Sequence, residues 1–183
     1  MNPAHTRAWV RDVVRSGLID PAGLEAEVSG VLAADHPDLP ASETARAWIS
    51  EERAAWVREA ASWAGPTDHD RLQAAFARLE QLGVVVLQGC ADHWAARDLL
   101  RARDGDPALD APRGVAWFTP ADVWHAIDEG MLEVNLWHGD TANAAPGDPL
   151  LAEALRCFTD EGLPAHFDEG RIEVSAHWRR RPS

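Results

Sequence analysis

The chain contains no lysine and no tyrosine, only two cysteines, and no long apolar run. Each absence removes a class of protein. Cys90 and Cys157 are too few for a disulfide framework and suit a reducing compartment. The longest aliphatic run, Val84 to Leu87, is far too short to span a bilayer, and the opening "MNPAHTRAWVRDVVRSG" has neither the apolar core nor the cleavage site of a secretory signal. A cytoplasmic location with no membrane partner is expected. All 17 basic residues are Arg, and 30 acidic residues leave a formal charge of -13. That field repels phosphate backbones, so no nucleic-acid partner is expected. A basic protein, a cationic ligand or plain solubility fits it better.

Missing as well are a serine nucleophile elbow, a phosphate-cradling Walker loop, a dinucleotide fingerprint and a His-Glu-x-x-His pair. The glycines of "GDPALDAPRG" lack the spacing that cradles phosphate, and no catalytic residue is assigned.

What is present is enough to fold. With 183 residues, 46% of them hydrophobic, the chain can bury a sizeable core. Its first third reads as helices separated by proline-rich breaks. Asp20 and Pro21 start one of them, which stops before Pro37. Ser42 is placed to cap the next, which Gly65 and Pro66 end. On that helix Trp48, Trp56 and Trp63 fall on one stripe, since at about 100° per residue the first two lie roughly 80° apart with the third between them. Each indole buries about 150–250 Å² and needs a partner for its N–H, so the stripe is covered by the chain's own core, by a second subunit or by another protein. Trp48, Trp56 and Trp63 are accordingly the candidate interface residues.

After Pro66 helices and strands alternate. Thr67 or Asp68 caps a helix through "DRLQAAFARLEQLG", and "VVVLQG" is a buried strand. A helix through "DHWAARDLLRARDG" leads by an Asp/Pro/Gly linker to the strand "GVAWFT", and "PADVWHAIDEG" is a short helix before the strand "MLEVNLWHG". A capped helix, "DPLLAEALRCFTDEG", precedes a hairpin that turns at Asp168 to Gly170. The class is α+β: N-terminal helices over residues 1–65, then over 66–183 a mixed sheet of four to five strands flanked by helices.

Three groups of residues could carry chemistry. Asp68, His69 and Asp70 stand in the first turn of a helix, where carboxylates oppose the macrodipole. Cys90 and His93 have the spacing of two zinc ligands, and a closed zinc site needs four, for which His69 and His138 are the candidates. The loop after the third strand brings His138, Asp140, Thr141 and Asn143 together. If the first three strands are parallel, Cys90, Thr119 and His138 all lie at carboxyl ends on one edge, and Thr119, His138 and Asp140 become a ligand site. An antiparallel neighbour scatters them. His125 with Asp128 suggests a surface contact on a helix, His166 and His177 suggest cross-strand pairing, and the terminal "HWRRRPS" reads as a solvated tail or an anion holder.

The stretches "PTDHDRLQAAFARLEQLGVVV", "RGVAWFTPAD" with "AIDEGMLEV", and "EGLPAHFDEGRIEV" with "HWRRR" resemble an uncharacterised bacterial family known only as a domain of unknown function. The likeness runs from about Trp63 to Arg181 and leaves out most of the N-terminal helices. Members of that family are richer in Cys at the helix start and after the first strand, which resembles a zinc-site pattern. At those places this chain has His69, and then only Cys90 and His93. The expectation is a non-enzymatic protein-interaction or regulatory module with a protein partner or homo-oligomer and no cofactor, and the alternative is a small zinc-binding protein or metal-assisted hydrolase.

Overall fold

The computed structural model describes residues 2–104 and 111–182, so most of the linker "GDPALDAPRG" lies outside the described residues. The chain divides into two compact units, Met1–Gly65 with Arg179–Ser183, and Pro66–Trp178.

The first unit is helical: α1 (Pro3–Ser16), α2 (Pro21–Asp35) and α3 (Ala41–Ala60). Asn2 and Asp20 cap the first two, each accepting a backbone N–H two residues on, with proline in the first turn. The third helix differs from expectation at both ends. Its N-cap is Pro40 without a side-chain cap, not Ser42, and it stops at Ala60, five residues before Gly65. Val10, Val13, Leu24, Val28, Leu32, Ala45, Ile49 and Trp56 are buried among these helices. The terminal residues are no solvated tail. Arg181 donates to the Gly65 carbonyl at 2.7 Å, and the Arg180 carbonyl accepts the Trp56 indole N–H at 2.9 Å. That bond supplies the partner a buried indole needs and fastens the chain end to α3.

The second unit runs α4 (Asp68–Gln81), β1 (Val84–Gln88), α5 (His93–Asp104), β2 (Gly114–Phe118), α6 (Pro120–Asp128), β3 (Met131–His138), α7 (Pro149–Asp160), β4 (Ala165–Asp168) and β5 (Arg171–Ser175). Its strands form one sheet in the order β1-β2-β3-β5-β4. Only β1 and β2 are parallel, joined by the α5 crossover, and every other pairing is antiparallel. The hairpin turns through Glu169 and Gly170, whose φ angles of 43° and 90° are the left-handed pair that a two-residue turn requires. With seven helices among the described residues and a mixed five-stranded sheet, the chain is α+β.

Strand alternation sorts the core. On one face Val115, Trp117 and Trp137 meet Ala96 and Leu100 of α5. On the other, Phe118 stacks on Phe76 of α4 at 5.6 Å, and Phe76 meets Phe158 of α7 edge-on at 5.9 Å. Strand β2 is therefore buried throughout, with α5 on one side and α4 and α7 on the other. On the face shared with Trp117, β3 carries Met131 and Trp137 at its ends, and the rows between them across β3 to β5 are polar. Glu173 lies between His166 and Glu133 in register, and Asp168, Arg171 and Asn135 form the next row. Arg171 pairs with Glu133 and His166 with Glu173, relieving the two opposed glutamates.

Candidate functional site

The carboxyl ends of β1 and β2 make one edge of the sheet, where Gln88 lies beside Phe118 and Cys90 N–H continues the ladder to the Phe118 carbonyl at 2.9 Å. Two helices start at or beside these strand ends, each with a Thr-x-x-Asp box. Thr67 receives Asp70 N–H at 3.2 Å and gives its own N–H to the Asp70 carboxylate at 2.8 Å. Thr119 receives Asp122 N–H at 3.4 Å and gives both N–H and hydroxyl to Asp122, at 2.7 and 2.8 Å. These reciprocal bonds satisfy the orphan donors of a helix start from within the chain. Asp68 accepts His177 N–H at 3.1 Å, tying the first turn of α4 to the segment after β5. His177 thus stands outside the hairpin, unlike His166.

The four candidate zinc ligands do not converge. Cys90 is 7% exposed, within the cluster of Trp117 and Trp137, and burial followed by the nearby Asp92 pushes its thiol up. His93 opens α5 with its ring 4.6 Å from Trp94. His69 lies edge-on to Trp178 at 4.8 Å, with its Nε2 3.4 Å from the Gln73 amide nitrogen. Gln73 and Gln88 pair reciprocally at 3.2 and 2.9 Å. Among the described residues no group of three or more His, Cys, Asp or Glu side chains could hold a metal ion, so these residues do not fit the zinc site considered above.

His138 ends β3, which runs against β2 and sets His138 opposite Gly114, the first residue of that strand. Thr119 follows its last residue. The grouping of Thr119 with His138 and Asp140 therefore required a parallel β3, and the antiparallel register separates them to opposite edges. Around His138 the loop is locked locally: Asp140 accepts Ala142 N–H at 3.0 Å, and Thr141, at φ 71°, gives its N–H to the His138 carbonyl at 2.9 Å. Asp148, the N-cap residue of α7, makes no side-chain bond to that helix. It accepts Ala145 N–H at 2.7 Å and lies 3.1 Å from His138 Nε2. The Ala145 N–H first, and then His138, hold its carboxyl below the usual range. Such a pair can orient an imidazole for proton transfer. Here it staples the loop. His125, read as making a surface contact with Asp128, pairs with Glu129 one turn on at 2.9 Å.

The exposed aromatic surface lies elsewhere than the Trp48, Trp56 and Trp63 stripe suggests. Trp56 is 6% exposed, Trp48 is half-buried with Arg7 5.2 Å above its ring, and Trp63 is half-buried beyond the end of α3. A residue as covered as Trp56 cannot face a second subunit, and the correction follows from its bond to Arg180. Trp94 on α5 is 57% exposed, with the Arg97 guanidinium 5.4 Å from its ring centre, and Leu99 on the same helix is 53% exposed. Ala96 and Leu100 face the sheet, leaving Trp94, Asp98 and Arg101 outward and Leu99 at the margin. This surface was missed because α5 reads as an ordinary amphipathic helix. The available signal was a Trp placed two positions before its buried Ala96.

Fold and surface together define an α+β protein with a three-helix unit ahead of a mixed sheet, and with a cation-flanked tryptophan outside the core. The chain belongs to the family described as Domain of unknown function (DUF6891), which matches residues 2–182. The family unit thus includes the N-terminal helices that the resemblance from Trp63 onward left out. No match was found among curated proteins or among solved structures.

Proposed function

We propose that this protein is a non-enzymatic interaction module that docks a protein partner through the outward face of α5. The carrying observation is Trp94, 57% exposed under the Arg97 guanidinium. Tryptophan and arginine are the residue types that dominate binding energy when an interface closes over them, and a large indole left in water gains most from being covered. Asp98 and Arg101, paired at 3.3 Å, share the outward face with Trp94, and Leu99 adds an exposed apolar side chain at its margin. The charged residues beside Trp94 are of both signs. A net charge of -13 favours a protein partner over nucleic acid. Among the described residues no helix is long and apolar enough to cross a membrane.

The test is complex size in the cell that naturally makes the protein. In clarified extract the wild-type chain is expected to elute well above its 20.0 kDa mass, and a Trp94→Ser, Leu99→Ser double variant to elute as the free chain. A wild-type chain that elutes alone, or a double variant that keeps the large complex, would refute the proposal.

A further inference from the structure

The helical unit contains a cavity of about 240 Å³ between α1, the start of α2, α3 and the chain end. Its walls are apolar where Val13, Val14, Leu24 and Trp56 contribute, and cationic where Arg53 and Arg180 reach it. They are the two arginines that line it. Arg7, Arg15 and Arg46 of the same unit each pair with a glutamate, but among the described residues no carboxylate pairs with Arg53 or Arg180. Arg58 of the same unit likewise has no carboxylate partner among the described residues. Two arginines lining one half-apolar cavity suit an anion with an apolar body.

Arg180 is held in place rather than free to swing. Its guanidinium lies 5.7 Å from the Trp56 ring centre, and its carbonyl accepts the Trp56 indole N–H. It also crosses directly over Gly17, the left-handed residue that ends α1 at φ 64°, where any Cβ would overlap the guanidinium. Proximity to the C-terminal end of α1 accounts for a cation at position 180 by the helix dipole alone. It does not account for Arg53, which sits on α3 and has no such partner. A planar guanidinium presents paired N–H donors that match a carboxylate in two-pronged geometry. As to size, a cavity of about 150 Å³ is known to hold benzene. The 240 Å³ here leaves room for a ring and a carboxylate together.

We infer that this cavity binds a small aromatic monocarboxylate, with the carboxylate between Arg53 and Arg180 and the ring against Val13, Val14 and Leu24. The inference is independent of the docking face, because it rests on the other unit. The test is titration of the full-length chain with benzoate, followed by calorimetry, melting temperature and the NMR signal of the Trp56 indole N–H. One saturable site per chain, a raised melting temperature and a shifted Trp56 signal are expected. Arg53→Gln is expected to weaken binding about tenfold to a hundredfold. The unliganded melting temperature should stay put, since Arg53 is exposed. Arg180→Gln should weaken binding similarly. No saturation by benzoate, or equal affinity in Arg53→Gln, would overturn the assignment. So would inorganic phosphate matching benzoate in both protection and Trp56 shift, since that would mean the walls contribute nothing.

Discussion

Replacing Thr119 by Ala separates its two roles, as a cap here and as a ligand-binding residue in the sequence reading. The structure gives its hydroxyl two bonds in the cap of α6, one received from Asp122 N–H at 3.4 Å and one given to the Asp122 carboxylate at 2.8 Å. The first is long and weak, and the second, to a carboxylate, is of the stronger kind. Loss of an N-cap hydroxyl costs about 0.5–2 kcal/mol, and the charged partner places this case near 1.5 kcal/mol. For a urea slope of about 2 kcal/mol per molar, the midpoint falls by roughly 0.7 M with the slope unchanged. Thr119→Ser restores the cap and should recover most of the loss. Asp122→Ala should cost more than Thr119→Ala, because it removes the acceptor of both the Thr119 N–H and the hydroxyl. Urea unfolding followed by circular dichroism reads all three. A Thr119→Ala midpoint within about 0.15 M of wild type, roughly 0.3 kcal/mol at that slope, would refute the capping account. So would Thr119→Ser falling as far as Thr119→Ala.

Arg171→Ala leaves Glu133 opposite Glu173 without its guanidinium, and should cost about 0.5–1 kcal/mol in the same assay, less at high salt. Burial is the leading cause that pushes up both the Cys90 and Cys157 thiols, so a disulfide-exchange reagent at neutral pH should label both slowly until denaturant is added. Fast labelling of the native chain would contradict their placement. Asp148, whose folded carboxyl lies below its usual value of 3.8, stabilises the fold above about pH 4, and that contribution fades as the pH falls through the lowered value. Asp148→Asn should therefore be less stable than wild type near neutrality and converge with it in acid. A gap that persists at low pH would exclude the charge as its source.

The parts of this structure written in neighbouring residues were legible before folding. The cap of α4 at Thr67, one of the two residues considered there, Asp20 with Pro21, and the turn before Arg171 depend on contacts within a few positions, and they stand as the pattern implied. The direction of β3 was not legible, because "MLEVNLWH" alternates equally well in a parallel or antiparallel sheet, and on that choice hung the grouping of Thr119 with His138 and Asp140. The chain end misled for a similar reason. Three consecutive arginines read as solvated, but their placement depends on Trp56, 124 positions away. Trp48, Trp56 and Trp63 were rightly seen to need covering, and only the fold could say that their own chain covers Trp56. Exposure of Trp94 could not be read at all, since it depends on how far α5 settles onto Trp117 and Trp137.

The most direct test of the docking face is photo-crosslinking in the native cell, with a benzophenone side chain placed at Trp94 and, as control, at Leu39, which is 37% exposed in the other unit. The account predicts one discrete protein adduct from position 94 and none from position 39. No adduct at 94, or the same adduct from both positions, would contradict it.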